Sequence, residues 1–356
     1  METRRFEEQA RHLEEYVRHA VVNRTRLQVS GLGSKKFLRR QFKGELLDVT
    51  EYKGVESYYP DELVVTVRAG TPLGELEKIL ASKGQMLPFE PPQFQNSGTI
   101  GGAVAAGLAG PGSPWRGGAR DSVLGIEMIN GLGERLRFGG QVIKNVAGFD
   151  VSRLLTGANG ALGVLLKISL KLIPIPEAQA TVMMKFQSVG QLREMMSKAY
   201  PITATLISGD TLWLRLSGER SAVDWAIGKL GAQEISELGL WQKVRDLEHE
   251  FFKQPGQLWR LTLPVMTEID ERKNWLVERG AGLRWLKSDE PTQDIFEYAH
   301  HSGGAAIGFS KGVAGQASVQ PEAYQLMLAR VRQAFDPHGI FHNLNSEALL
   351  LPESGN

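Results

Sequence analysis

Small residues form the segment of this chain with the clearest chemical use. Residues 97–107 read Ser-Gly-Thr-Ile-Gly-Gly-Ala-Val-Ala-Ala-Gly. Because glycine lacks a Cβ, such a run lets the backbone approach a large flat ligand closely. Gln95, Ser97 and Thr99 add side-chain hydrogen-bonding groups, and polar groups among small residues suit the edge of a cofactor ring. The alternative is a tightly packed helix over residues 100–108.

A second candidate site is the glycine loop Ser30-Gly31-Leu32-Gly33-Ser34-Lys35. It follows a predicted strand at residues 27–29, and its glycines can turn N–H groups toward a pyrophosphate. The third glycine of the G-x-G-x-x-G fingerprint falls on Lys36, and the sequence has no G-x-x-x-x-G-K-[ST] motif. Both the nicotinamide-dinucleotide and the P-loop interpretations therefore fail. A plain strand-to-helix turn is the structural alternative.

Two later segments complete the set of candidates. Arg120-Asp121 precedes an apolar strand predicted at residues 123–128, where a charged pair is either part of a site or a weak strand-end salt bridge. Residues 156–165 read Thr-Gly-Ala-Asn-Gly-Ala-Leu-Gly-Val-Leu, a third glycine-rich turn. This turn leads into a long β-prone run that ends at Pro174.

The composition limits the function classes. The 356 residues are 42% hydrophobic and 23% charged, which predicts a soluble globular chain of about two domains. With Lys+Arg 41 and Asp+Glu 40 the net charge is +1, so a nucleic-acid-binding protein is excluded. The absence of cysteine excludes disulfides and cysteine-ligated iron–sulfur clusters within this chain, and no metal site is predicted. The acidic residues 1–8 do not resemble a signal peptide, and no apolar run is long enough to span a membrane, which predicts a cytoplasmic protein.

Periodicity predicts an α+β first half. The predicted helices are residues 6–20 and 71–80, and the predicted strands are residues 27–29, 46–49, 63–67 and 123–128. Residues 128–138 predict a hairpin in which Asn130-Gly131 supplies the positive φ angles of the turn. Pro174 and Pro176 mark a domain boundary.

A second pattern follows that boundary. Its predicted order is strand 181–186, helix 189–200, strands 204–208 and 212–216, and helix 221–230. This order indicates a ferredoxin-like βαββαβ unit. Strands at 258–263, 282–286 and 305–309 would extend it, and a closing helix is predicted at 322–335.

The glycine run, residues 120–125 and residues 144–155 occur in an order that resembles the flavin domain of the vanillyl-alcohol oxidase superfamily. Within it, Phe-Gly-Gly-Gln-Val-Ile-Lys-Asn-Val-Ala-Gly at residues 138–148 is similar to the hallmark of the family of smaller FAD-binding subunits of bacterial glycolate oxidase. The resemblance implies an α+β protein with a PCMH-type FAD-binding domain at residues 1–175, whose two subdomains span about 1–55 and 56–175. A ferredoxin-like antiparallel-sheet cap domain with a C-terminal closing helix would occupy residues 176–356.

The resemblance also implies which residues hold the cofactor. Residues 30–35 would be the diphosphate loop, and the Thr-Ile-Gly-Gly segment would lie along the isoalloxazine and pyrophosphate. The implied cofactor-binding residues are Ser30, Gly31, Leu32, Gly33, Ser34, Lys35, Pro88, Ser97, Gly98, Thr99, Ile100, Gly101, Gly102, Gly107, Gly118, Arg120, Asp121, Gly125, Gly157, Gly160, Gly163, Val164 and Ile168. The chain departs from the family pattern where Trp115-Arg116-Gly117-Gly118 replaces Tyr-Gly and where Ala161 stands in place of Thr.

Histidines are the next constraint, because flavin-dependent oxidation of a 2-hydroxy acid needs a base, usually His, and a cation for the carboxylate. No histidine lies between residues 20 and 248, so the flavin domain has neither a histidyl nor a cysteinyl linkage and FAD is predicted to be noncovalent. The family's larger catalytic subunit has an H-x-G-D-G-N-x-H motif that this chain lacks. His300 and His301 are its nearest counterpart and only weak catalytic candidates, expected in a loop near the flavin face.

The resemblance implies an FAD-binding subunit of a glycolate oxidase, a complex that oxidises glycolate or D-lactate. The chain would carry a second noncovalent flavin beside a homologous larger FAD-binding catalytic subunit and an iron–sulfur subunit, and would meet a membrane only through these partners. Two alternatives stay open. One is a self-sufficient FAD-dependent 2-hydroxy-acid dehydrogenase, which requires His300 or His301 at the flavin, and the other is a cofactor-free structural subunit.

Overall fold

The computed structural model of the chain describes residues 2–38, 44–95, 98–140, 150–235, 239–270 and 273–341. The first unit consists of α1 (Glu2–Asn23), β1 (Leu27–Ser30) and β2 (Glu45–Asp48). The two strands pair in parallel. The apolar stripe of α1, which includes Ala10, Leu13 and Val17, packs against this pair because its residues recur at helical spacing.

The second unit is a five-stranded antiparallel sheet with short helices. Its elements are β3 (Val55–Tyr59), β4 (Val64–Arg68), α2 (Leu73–Ala81), β5 (Gln85–Met86), α3 (Ile100–Ala106), α4 (Ser113–Arg116), α5 (Ala119–Ser122), β6 (Val123–Ile129), β7 (Arg135–Gly139), α6 (Val151–Leu155), β8 (Val164–Lys171) and β9 (Ile173–Pro174). The strand order is β3-β4-β8-β6-β7, and β5 pairs separately with β9. These two units together are called the first domain.

The third unit, called the cap, is built on an eight-stranded antiparallel sheet. Its elements are β10 (Ala178–Lys185), α7 (Val189–Ser197), β11 (Ile202–Ser208), β12 (Thr211–Gly218), α8 (Arg220–Leu230), β13 (Gln233–Ile235), α9 (Leu240–Arg245), α10 (Glu250–Lys253), β14 (Gln257–Thr262), β15 (Trp275–Glu278), β16 (Leu283–Ser288), α11 (Thr292–His301) and β17 (Ala305–Gly308). The order β13-β10-β12-β11 is that of a ferredoxin-like unit, and β15-β16-β14-β17 extend the sheet. The predicted α+β fold class is confirmed.

The closing helix α12 (Glu322–Phe335) corrects the expected extent of the cap domain, residues 176–356. Val331 and Phe335 of α12 pack on the core of the first domain, and Phe335 contacts Phe138 edge to face. Just after the helix, the carbonyl of Ile340 accepts the N–H of Leu27 in β1 at 2.7 Å. The closing helix is present as predicted, but it and the residues after it complete the first domain, because Val331 and Phe335 are half-buried against its core and Ile340 and Phe341 are fully buried in it.

The turn between β6 and β7 is a smaller correction. The residue with positive φ in this turn is Gly133, at φ +73°, whereas Asn130-Gly131 was predicted to supply it. The Asn130 side-chain oxygen instead accepts the N–H groups of Leu132 and Glu134 at 2.9 Å each. Gly131 is required for another reason, since a Cβ there would lie 2.4 Å from the Asp336 carboxylate.

Candidate functional site

A large cleft, called the main cleft, opens in the first domain between the β1–β2 unit and the five-stranded sheet. Its volume, including its open mouth, is about 950 Å³, which is in the range of small-molecule sites. It is lined by β1 and the loop after it, the residues that follow β2 and β4, α3, the end of α6 with the turn after it, and the start of β8. The lining residues are Gln28, Val29, Gly31, Leu32, Gly33, Ser34, Lys35, Val49, Ala69, Thr99, Gly101, Gly102, Ala105, Ala106, Leu155, Ala158, Asn159, Gly160, Leu162, Gly163 and Leu165.

The glycine loop brings a positive charge to the main cleft. Gly33 has φ +75°, a left-handed conformation that glycine adopts without steric cost. The Lys35 ammonium lies 3.5 Å from the Ser34 hydroxyl and 5.6 Å from the centre of the Phe94 ring. The loop therefore combines backbone close to the cleft with an ammonium group, which is the chemistry that recognises a phosphate.

Helix α3 forms the wall opposite the loop. Thr99 caps the helix, because its hydroxyl oxygen accepts the N–H of Gly102 at 3.1 Å. A hydroxyl has one donor in addition to its acceptor sites, so Thr99 can still donate a hydrogen bond into the cleft. The segment is thus a tightly packed helix start and a cleft wall at once, and the two interpretations of residues 100–108 do not exclude each other.

Two glycines of the cleft lining, Gly101 of α3 and Gly31 of the glycine loop, allow neighbouring segments to pack closely. A Cβ on Gly101 would lie 2.7 Å from the Cβ of Ala69, so Gly101 lets α3 pack on the turn after β4. A Cβ on Gly31 would lie 2.5 Å from the Thr99 hydroxyl, which brings the glycine loop against α3. Both glycines line the cleft, and both also hold its two walls together.

The third wall is the turn after α6. Asn159 and Gly160 have φ +52° and +81°, so consecutive residues adopt the left-handed conformation at the cleft. A Cβ on Gly163 would lie 2.3 Å from the Ile129 carbonyl, which excludes a larger residue there. Ala161, the departure from the family pattern, is buried and does not line the cleft.

Ten of the predicted cofactor-binding residues line the main cleft: Gly31, Leu32, Gly33, Ser34, Lys35, Thr99, Gly101, Gly102, Gly160 and Gly163. Ser97 lies outside the described residues. The following predicted residues do not line it: Ser30, Pro88, Gly98, Ile100, Gly107, Gly118, Arg120, Asp121, Gly125, Gly157, Val164 and Ile168. Contact of these residues with a cofactor stays a prediction.

Several of the residues outside the cleft have a structural role instead. The side chains of Ile100, Val164 and Ile168 are fully buried in the protein core. Asp121 accepts the Gly118 N–H at 2.8 Å and so caps α5. A Cβ on Gly107 would lie 2.9 Å from the Cα of Gly157, so this glycine pair lets the end of α3 meet the turn after α6.

The two histidines lie at the end of a helix rather than in the predicted loop. His300 and His301 are the last residues of α11, both exposed, and neither lines the main cleft. His301 Nδ1 lies 2.8 Å from the Glu297 carbonyl one turn earlier in the same helix. The prediction of a loop is wrong, because residues 292–301 form a helix with both histidines exposed at its end, and contact of either one with a flavin stays a prediction.

Sequence reasoning missed about half of the cleft lining. Val29, Ala69, Leu155 and Leu165 are apolar residues of strands or helix ends that resemble ordinary core residues. Gln28 was the one available signal, a polar residue that is buried within β1. These residues reach the cleft only because the fold brings β1, β4 and β8 together.

The structural observations fit an FAD. The cleft is lined mostly by small and apolar residues, and its loop carries Lys35. Within the described ranges, no group of three or more His, Cys, Asp or Glu residues could hold a metal ion. None of the helices that the structure describes is long and apolar enough to cross a membrane.

Comparison with known proteins agrees with this site. Residues 7–139 match the family described as an FAD binding domain. Glycolate oxidase subunit GlcE of Escherichia coli (strain K12) is 41% identical over 332 residues, which cover 92% of this chain and 94% of that protein. Glycolate oxidase subunit GlcD of Bacillus subtilis (strain 168) is 31% identical over 157 residues, or 43% of this chain and 33% of that protein.

A solved structure shows the same fold. Alkyldihydroxyacetonephosphate synthase superposes with a TM-score of 0.65 at 15% identity, covering 92% of this chain and 73% of that one. The match to the FAD binding domain and the similarity to glycolate oxidase subunits therefore define an FAD-binding oxidoreductase chain. Within that class, the chain belongs to the family of glycolate oxidase subunit GlcE.

Proposed function

We propose that this chain is the FAD-binding subunit of a glycolate-oxidising complex, in which it holds a second, noncovalent FAD beside a larger FAD-binding catalytic subunit and an iron–sulfur subunit. The observation that carries the proposal is the main cleft, walled by glycine and alanine from three segments and supplied with the Lys35 ammonium. The similarity to subunits named GlcE and GlcD supports a complex of several chains.

The residues of the cleft bind and orient the cofactor. Lys35 neutralises phosphate charge, and Gly33 and Gly160 present backbone at positions where a side chain would be strained. When bound, FAD supplies a two-electron acceptor. The chain has no cysteine and no histidine between residues 20 and 248, so the cofactor is held without a covalent bond from those residue types.

The placement of His300 and His301 favours an accessory flavin over self-sufficient catalysis. A general base must lie within hydrogen-bond reach of the proton that it removes. Both side chains are exposed at the end of α11, outside the main cleft. The proposal therefore assigns oxidation of the small 2-hydroxy acid to the larger subunit.

The visible absorption spectrum of the purified chain tests the proposal. Flavin that is released by acid precipitation and stays oxidised when glycolate or D-lactate is added anaerobically supports the accessory role. Bleaching of the flavin by either acid would instead make the chain a complete dehydrogenase. A colourless protein that binds no added FAD would leave only the cofactor-free structural role.

The complex requires a separate measurement. Co-expression with the larger flavin subunit and the iron–sulfur subunit, followed by mass photometry and flavin quantitation, should give one more FAD per complex than the larger subunit holds alone. An assembly with unchanged flavin content would contradict the second flavin.

A further inference from the structure

We infer that the outer side of the closing helix α12 is a docking surface for the chain's own C-terminal segment, residues 342–356. The inference goes beyond the proposed function and does not rest on it. This side of the helix, called the outer stripe, consists of Leu326, Met327, Arg330 and Ala334. The C-terminal segment reads His-Asn-Leu-Asn-Ser-Glu-Ala-Leu-Leu-Leu-Pro-Glu-Ser-Gly-Asn and lies outside the described residues.

Helix α12 has two apolar sides, of which only one is packed. Val331 and Phe335 pack on the core of the first domain. The outer stripe lies on another side, because its members recur three and four residues apart. All four are exposed, Leu326 by 42% and Met327 by 59%, and no residue of α12 is fully buried. A helix with apolar residues on more than one side is normally covered on each of them, so the outer stripe indicates an interaction surface.

The described chain ends beside this helix. The Arg332 guanidinium, in the last turn of α12, donates a hydrogen bond to the carbonyl of Phe341 at 3.0 Å. Leu326 lies six residues before Arg332, which is about 9 Å along a helix. Leu349 follows Phe341 by eight residues, and eight extended residues span about 26–29 Å. The leucines of the C-terminal segment can therefore reach the whole outer stripe without any movement of α12.

The apolar residues of the C-terminal segment match the outer stripe. Ala348 and the three leucines at 349–351 form a continuous apolar run that Pro352 ends. Leu344, Ala348 and Leu351 recur four and three residues apart, which is the spacing of one side of a helix. Two apolar surfaces that the chain places within reach of each other gain free energy when they pack together and release water.

Charge favours the same occupant over a second copy of the chain. The C-terminal segment contains the carboxylates of Glu347 and Glu353 and has no lysine or arginine. The outer stripe carries the exposed cation Arg330, so docking brings opposite charges together. A second copy that used the same stripe around a two-fold axis would instead set a cationic stripe against a cationic stripe.

Docking of the C-terminal segment has a consequence for assembly. Helix α12 completes the first domain, and its outer stripe is the side that faces away from that domain's core. With the stripe covered by the chain itself, this side of the first domain is closed to other proteins. Partner subunits would then bind to other surfaces of the chain.

Disulfide cross-linking in the full chain tests the inference, because the sequence has no cysteine of its own that could compete. A docked segment holds the thiols of Met327→Cys and Leu349→Cys at a high effective concentration, and Leu350→Cys in place of Leu349→Cys samples the neighbouring position. Mild oxidation should join one of these pairs at least about tenfold faster than the control pair Asp224→Cys and Leu349→Cys, because Asp224 is exposed on α8 of the cap. Arg330→Glu should slow the reaction of the faster pair at low ionic strength.

The products of the reaction identify other occupants. Equal rates for both stripe pairs and the control would overturn the inference. A product of twice the mass would assign the outer stripe to a second copy of the chain. If the thiol of Met327→Cys alone were protected from a labelling reagent only after co-expression with the larger flavin subunit, the stripe would belong to that partner and the inference would be wrong.

A variant without cysteine gives an independent readout. Replacement of the three leucines at 349–351 by serine in the full chain should uncover the outer stripe and raise the fluorescence of the apolar-surface dye anilinonaphthalene sulfonate. The increase should disappear when Leu326→Ser and Met327→Ser are added, which separates dye on the stripe from dye in the main cleft. An undocked segment predicts the opposite sign, since the serines would then remove exposed apolar surface, and unchanged or lower fluorescence therefore contradicts docking.

Discussion

Small residues of the main cleft differ in how far packing requires them, and the contact that a larger side chain would make measures this requirement. A Cβ on Gly101 would lie 2.7 Å from Ala69, so the fold itself requires glycine. Ala105 already has a Cβ, is half-buried and lines the cleft. A larger residue at Ala105 would therefore take up ligand space without forcing α3 away from its neighbours.

Ala105→Phe should lose bound FAD and keep its fold. The phenyl ring would occupy cleft volume, and overpacking of about 1–3 kcal/mol corresponds to an affinity about 5- to 150-fold lower. The measurement is the flavin-to-protein absorbance ratio after purification, together with the thermal midpoint of the flavin-free protein. Ala323→Phe, on the exposed side of α12, is the matched control and should retain its flavin. Normal flavin content in Ala105→Phe would remove α3 from the site.

The buried carboxyl of Glu278 should make the stability of the protein depend on pH. It is 3% exposed, and burial raises the pKa of its carboxyl despite Arg279 and Arg260 nearby and the hydrogen bond that Trp285 donates at 2.5 Å. The folded chain therefore holds this proton to a higher pH than the unfolded chain does. The stability that protonation contributes is lost as the pH rises from the ordinary glutamate pKa of 4.5 through the raised value.

Glu278→Gln isolates this effect, because glutamine keeps the shape and the acceptor but cannot ionise. The free energy of unfolding in urea should fall for the wild type relative to Glu278→Gln as the pH rises from about 5 to about 8. The opposite trend, with the wild type gaining on the variant, would mean that the two arginines outweigh burial and hold the carboxyl ionised.

Among the elements, the hydrophobic periodicity of the sequence predicts the longer helices and strands. In the ferredoxin-like unit, apolar residues recur every second residue in the strands and every three to four residues in the helices. The structure has these elements in the predicted order. β15 (Trp275–Glu278) and α11 (Thr292–His301) were not predicted, because β15 is short and α11 has only a narrow apolar stripe that includes Ile295 and Ala299. Missing α11 is what put the two histidines in a loop.

Contacts between elements are beyond what the sequence can predict. Glu90, in the loop after β5, accepts from Arg116 of α4 at 2.7 Å and from Arg215 of β12 at 2.8 Å. It also accepts the Gly112 N–H at 2.9 Å. These partners are distant in sequence, and no motif marks the pairing. The triad nevertheless joins the first domain to the cap through side chains that are nearly buried.

Glu90→Gln should destabilise the protein by about 3 kcal/mol, because it leaves two buried guanidinium groups without a counter-charge. Urea unfolding followed by tryptophan fluorescence measures the change. Glu194→Gln removes one carboxylate from the exposed Glu194–Lys198 pair, 2.7 Å apart, and should leave the stability almost unchanged. Equal effects of the two substitutions would show that the Glu90 triad contributes no more than a surface pair.

At the scale of the whole molecule, the C-terminal part of the described chain returns to the first domain. The first domain begins at α1 and is completed by α12 and the residues that follow it, with the cap inserted between. Pro174 and Pro176 lie between β8, the last strand of the five-stranded sheet along the chain, and β10, the first strand of the cap sheet. The sequence gives no sign of the return, since residues 322–341 look like the end of the cap until their contacts with β1 are known.

The same closure links the chain's end to the main cleft through Asp336. This residue is 3% exposed and accepts the N–H groups of Ile340 and Phe341 at 3.0 and 2.9 Å. Ile340 in turn accepts the N–H of Leu27, the first residue of the strand that leads into the glycine loop. Loss of the Asp336 carboxylate would release the segment that fixes β1 beside the cleft.

Asp336→Ala should therefore lower stability by about 2–4 kcal/mol, since two buried amide donors lose their acceptor at about 1–3 kcal/mol each. It should also speed the release of FAD, because β1 carries the glycine loop. Urea unfolding measures the first effect and the rate of flavin fluorescence recovery on dilution measures the second. Asp336→Asn keeps one acceptor oxygen and should fall between the wild type and Asp336→Ala in both. If Asp336→Ala lost stability but released FAD at the wild-type rate, the C-terminal return would support the fold of the first domain without positioning the cofactor loop.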